Sequence, residues 1–83
     1  FLFCGWVGGG HRDAFRDHLA TLGVDTGIHW TPAHTMTLFQ PCRRGGLTVT
    51  ERAAAEVVSL PLHSGMPESV VDRVCDAVES YFA

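Results

Sequence analysis

The stretch Gly23-Val24-Asp25-Thr26-Gly27-Ile28-His29-Trp30-Thr31-Pro32-Ala33-His34 separates a part of the chain that leads in from a part that packs behind. Gly23 is a natural stop for a preceding helix. Val24, Thr26 and Ile28 then alternate with Asp25, Gly27 and His29, a period of two that predicts a strand over 24–29. On that register His29 points away from the core. Trp30 takes the core parity just where Thr31-Pro32 forces an extended turn. A short helical turn follows over 33–39.

Upstream, the aromatic-rich run Phe1–Val7 reads as a strand and Gly8-Gly9-Gly10 as a flexible turn. Arg12–Leu22 then fits a helix, with Phe15, Leu19 and Leu22 on one face and Arg12, Asp13, Arg16 and Asp17 turned to water. His18 reads as structural. Downstream, Gln40–Gly46 is an irregular loop with Arg43 and Arg44 expected in solvent. Thr48-Val49-Thr50-Glu51 has capping-box spacing and opens a helix to about Val57. Val58–Leu62 is a short apolar strand, and Pro67 suits the first position of a final helix. There Val70, Val71, Val74, Cys75, Val78, Tyr81 and Phe82 form a wide apolar stripe, about five of them expected in the core. Cys75 reads as a small core residue. The order predicts an α/β (α+β) fold, a short, mostly antiparallel sheet with helices packed on one side, as a single small domain over 1–83.

At 83 residues the chain buries only about 60% of its unfolded surface, so a lone core is marginal. Its apolar runs fall far short of the roughly 20 residues of a membrane span. A net charge of −3 without a basic stripe speaks against a nucleic-acid or anionic-membrane surface. Cys4, Cys42 and Cys75 are odd in number and widely spaced, which reads as reduced thiols in the cytoplasm. The chain opens on Phe1, apolar and without an initiator methionine, which suggests a segment of a longer polypeptide. All six Lys and Arg positions are arginine, so no lysine amine is present for nucleophilic catalysis.

Three chemistries compete. A metal site on His29, His34, Cys42 and His63 lacks the closely paired ligands that zinc sites show. Cys42 beside Arg43 and Arg44 has the setting of an activated thiol, but nothing in the sequence brings a histidine to it. A ligand-facing loop fits better. Imidazoles bond hydroxyls, and an indole covers the apolar face of a sugar ring, which makes His29, Trp30 and His34 the candidates. The plain alternative stays open: Trp30 plugs the core edge and His34 caps its turn.

Arg12-Asp13 with Leu19, the run Gly23–Trp30, Pro32-Ala33-His34 and Phe39 resemble the C-terminal domain of the DegT/StrS nucleotide-sugar aminotransferases. Glu51-Arg52, Ser59–His63, Met66-Pro67 and Val71–Val74 are similar to that family's closing segment. The resemblance implies a pyridoxal-phosphate enzyme of fold type I, a homodimer that takes an amino group from glutamate. It implies a keto group on a nucleotide-linked sugar as acceptor, in polysaccharide, lipopolysaccharide or antibiotic-sugar synthesis. The loop is most similar to members that form 4-amino sugars, of the amino-arabinose type. By the same resemblance His29 and Trp30 are substrate-binding, with His34 a further candidate. The family's Schiff-base lysine and phosphate-binding residues belong to a large domain whose pattern is not in this sequence, so the chain alone is expected to be inactive and without bound cofactor. A free-standing, non-catalytic interaction module of the same descent is the alternative. A regulatory domain binding a metabolite at Gly8–Gly10 is the third.

Overall fold

The computed structural model describes residues 2–29 and 31–83; Phe1 and Trp30 lie outside the described residues. The order is β1 (Phe3–Trp6), α1 (Arg12–Thr21), two short 3-10 turns (Ala33–Thr35 and Thr37–Phe39), α2 (Thr48–Glu56), β2 (Val57–Leu60) and α3 (Glu68–Phe82). β1 pairs antiparallel with β2, Phe3 opposite Leu60 and Trp6 opposite Val57. The expected mixed fold is therefore present, with a sheet of two strands among the described residues.

The turn before α1 uses Gly9 and Gly10 at φ 72° and 78°, where only glycine is at ease. α1 ends as its glycine predicts. Gly23, at φ 77°, donates to the Ala20 carbonyl, and Val24 reaches back to that of Leu19. These two bonds are the Schellman pattern, and its usual apolar contact is present, since Leu19 and Val24 are both core residues. The core holds Val7, Phe15, Leu19, Val24, Val58, Val74 and Ala77, so α1 and α3 meet over the Val58 position of the sheet. Phe15 packs edge-on against Tyr81 at 5.3 Å, and His18 Nε2 lies 2.8 Å from Ser80 Oγ, in keeping with a structural role.

Several expectations fail, each for a reason visible in the contacts. The strand expected over 24–29 is a single bridge, Gly27 with Ser59. Side chains hold the backbone beside it: Asp25 Oδ1 accepts from the Thr26 amide, and Arg16 takes the Thr26 carbonyl. Such local bonds compete with a ladder. The capping box does not form: Leu47 is the cap residue of α2, with no side-chain bond, and the Glu51 carboxylate lies 3.3 Å from His34 Nε2 instead. Pro67 precedes α3 rather than opening it. Leu22 is exposed.

The α1 arginines are not a solvated face. Arg12, its side chain 12% exposed, sends Nη1 to the carbonyls of Ala54 (2.7 Å) and Val57 (3.0 Å), closing the joint where α2 passes directly into β2. On α3 only Val74 and Ala77 are buried, with Val78 and Tyr81 packed beside them. Val70, Val71, Cys75 and Phe82 stay exposed, because α1 covers one side of the stripe and nothing among the described residues fully covers the other. The radius of gyration is 15.3 Å, against about 12 Å for a compact chain of this length.

Candidate functional site

His29 stands at the end of a segment fixed at three points. Val24 is anchored in the core. Gly27 exchanges both backbone hydrogen bonds with Ser59, at 3.0 and 2.8 Å. Thr26 is held from the helix side, where Arg16 donates through Nε to its hydroxyl (2.9 Å) and through Nη2 to its carbonyl (3.3 Å). The His29 imidazole folds back over Gly27: a methyl placed there would stand 3.1 Å from Nε2. A glycine is therefore what lets the ring lie so close to the backbone.

The result is an open hollow of about 350 Å³ between this segment and the end of β2. Asp25, Thr26, His29 and Ser59 are its polar lining, with Leu60, Pro61 and Leu62 as an apolar side. Hydroxyl, imidazole and carboxylate groups over an apolar wall suit a hydroxylated ligand with one apolar face. Ser59 is buried, and its hydroxyl lies 3.2 Å from Cys4 Sγ, which ties the floor to β1.

His34 opens on a different hollow, of about 420 Å³, beside Phe39, Cys42, Arg43, Arg44 and Thr50. Its side chain is 13% exposed and meets Glu51, while its carbonyl accepts from Gln40 (3.1 Å) and Arg44 (3.4 Å). The two histidines therefore do not line a common hollow. Trp30, between them in sequence, lies outside the described residues. Among the described residues no three of His, Cys, Asp and Glu gather where they would hold a metal ion, and all three cysteines are free and exposed. No helix among those residues is long and apolar enough to cross a membrane. Arg16, Gly27 and Ser59 escaped the sequence reading. Arg16 showed only as a polar position on a helix, and the partners of the other two lie 32 positions apart along the chain.

The model of the DegT/DnrJ/EryC1/StrS aminotransferase family matches residues 2–79. The chain is 34% identical over 71 residues to the dTDP-3-amino-3,6-dideoxy-alpha-D-galactopyranose transaminase of Aneurinibacillus thermoaerophilus, over 84% of this chain and 20% of that one. It is 47% identical over 49 residues to the dTDP-3-amino-3,4,6-trideoxy-alpha-D-glucose transaminase of Micromonospora megalomicea subsp. nigra, over 57% of this chain and 13% of that one. Among solved structures, the aminotransferase TlmJ from Streptoalloteichus hindustanus superposes with a TM-score of 0.87 at 30% identity, over 98% of this chain and 22% of that one. A DegT DnrJ EryC1 StrS aminotransferase from Brucella abortus, at 23% identity and a TM-score of 0.85, covers 96% of this chain and 22% of its own, a likeness of fold. The chain spans a fifth or less of the length of these curated relatives.

Proposed function

Because the chain belongs to the DegT/DnrJ/EryC1/StrS aminotransferase family, we propose that it serves as the C-terminal domain of a longer sugar aminotransferase and forms one wall of its substrate pocket. The family match over 2–79 carries this reading. Two features of the chain support the need for further polypeptide. Leu2, Phe3, Leu62 and Phe82 are each at least half exposed, and the chain is more spread than a self-sufficient domain of its size.

Members of this family are generally pyridoxal-phosphate enzymes. The residues here do not fit a cofactor site of their own. No lysine is present to carry it. The Gly8–Gly10 turn runs into His11-Arg12 and lacks the Lys-Ser/Thr that completes a phosphate-binding loop. Cofactor and amine belong to a large domain elsewhere in the enzyme. This chain contributes recognition: His29 bonds a sugar hydroxyl from the hollow beside Ser59, and Trp30 packs on the ring. His34, tethered to Glu51, contributes from its own hollow.

Both named relatives are, by name, transaminases of dTDP-linked 3-amino deoxysugars. We take the same acceptor here, a dTDP-linked 3-keto deoxyhexose, in preference to the 4-keto sugars that the loop's resemblance implies. Glutamate is the donor, the working enzyme is a homodimer, and the setting is cytoplasmic synthesis of polysaccharide, lipopolysaccharide or antibiotic sugars. A non-catalytic interaction module would share the exposed apolar residues, but it leaves the polar lining around His29 without a use.

The test is turnover by the full-length enzyme loaded with pyridoxal phosphate and glutamate, offered 3-keto and 4-keto dTDP-deoxyhexoses, with products identified by mass spectrometry. The 3-keto sugar should be the better acceptor. His29→Ala should lower kcat/KM for it by about tenfold or more, the loss expected of a polar contact in a site, with the glutamate half-reaction intact. Absence of turnover on both sugars refutes the function. Unchanged kinetics in His29→Ala removes that residue from the pocket.

A further inference from the structure

The Arg16 guanidinium grips one residue twice, Nε on the Thr26 hydroxyl and Nη2 on the Thr26 carbonyl. Thr26 lines the hollow and stands three positions before His29. The next fixed point is the pair of hydrogen bonds between Gly27 and Ser59. A lone bridge leaves a segment free to rock about the line of its two bonds. A second anchor one residue away removes that freedom. Arg16 supplies the second anchor from a rigid base, since α1 sinks Phe15 and Leu19 into the core. An ordered fork also loses less side-chain freedom per bond than a flexible amine does.

The geometry points to Arg16 as a positioning residue: by clasping Thr26 it sets where the His29 imidazole stands, and so how well the enzyme distinguishes the sugar of its substrate. This rests on the placement of His29 in the sugar pocket and adds a residue that touches no ligand. A tie that merely stabilised the fold would act on stability and leave ligand discrimination alone. A positioning tie acts on the sugar contact and spares the nucleotide.

The experiment is calorimetry on the full-length enzyme with two probes, dTDP and dTDP-3-amino-3,6-dideoxygalactose. Arg16→Gln should weaken the amino-sugar nucleotide about five- to tenfold and leave dTDP unchanged, as expected when a contact is misplaced rather than removed. His29→Ala should show the same selective loss. The double variant should lose no more than His29→Ala alone, because both changes remove one interaction. Arg16→Lys, with a point donor in place of the fork, should recover part of the affinity. Thr26→Val keeps the shape and deletes the hydroxyl half of the clasp while the carbonyl bond stays, so it should give a smaller loss of the same selectivity, which serves if Arg16→Gln fails to fold. Wild-type affinity for both probes in Arg16→Gln, or in Thr26→Val where that variant stands in for it, overturns the proposal. So does a loss that adds fully to that of His29→Ala, or an equal loss for the two probes. Undiminished amino-sugar binding by His29→Ala overturns the placement of His29 and this role with it, an outcome recognisable without any Arg16 variant.

Discussion

Replacing Arg12 with alanine should cost this chain about 2–4 kcal/mol. The side chain has two partners that matter, the Ala54 carbonyl at 2.7 Å and the Val57 carbonyl at 3.0 Å, both served by Nη1. The first belongs to the last turn of α2, where carbonyls have no partner within the helix. The second lies at the start of β2, with no loop residue between the two elements to supply a donor. Hydrogen bonds from a charged donor contribute about 1.5–3 kcal/mol each, and truncation also leaves the acceptors unsatisfied. Ala54 and Val57 are half-buried, so water recovers part of that loss, which sets the lower bound. The remaining bond, Arg12 Nε to Asp13 at 2.9 Å, adds little because Asp13 is 79% exposed. For a domain of this size the change lowers Tm by roughly 10–30 °C. Urea titration of the full-length enzyme, followed by hydrogen exchange at the α2–β2 amides, measures it. Arg12→Lys should retain about half the stabilisation and gives a graded point if the alanine variant does not fold. A midpoint for Arg12→Ala corresponding to less than about 0.5 kcal/mol, the range of ordinary surface substitutions, would refute the closed-joint reasoning.

Gly27→Ala brings a methyl to 3.1 Å from His29 Nε2, so the ring must move by a few tenths of an ångström while both Gly27 hydrogen bonds can persist. In the full-length enzyme kcat/KM for the keto sugar should fall about three- to tenfold, with a stability change below about 1 kcal/mol; a large loss of stability with unaltered kinetics would contradict it. Cys4, Cys42 and Cys75 are exposed, so Ellman's reagent should titrate all three thiols of the native 83-residue chain without denaturant. A Cys75 that reacts only after unfolding would restore it to the core.

The local rules hold where the chain interacts with itself at short range. Gly23 ends α1 because a left-handed residue there lets two backbone amides fold back on the last turn, and both bonds are present. The glycine turn before α1, the α1 core positions Phe15 and Leu19, and strands close to two of the three expected follow in the same way. What failed was each inference about who covers whom. Period two over 24–29 described which residues share a side, yet a strand needs a continuous partner, and β2 offers this segment only Ser59. The capping box at Thr48–Glu51 had the right spacing, but Glu51 turns to His34.

By itself the sequence determined the family and the succession of helices and strands apart from the strand expected over 24–29, because periodicity, glycine punctuation and motif order are local or linear properties. Only the tertiary structure decided that Arg12 and Arg16 are ties rather than solvated charges, that His29 and His34 line separate hollows, and that much of the α3 stripe stays bare. Those outcomes depend on which distant carbonyl or apolar face arrives opposite a side chain. That is a property of the packed chain, and helix or strand spacing carries no record of it.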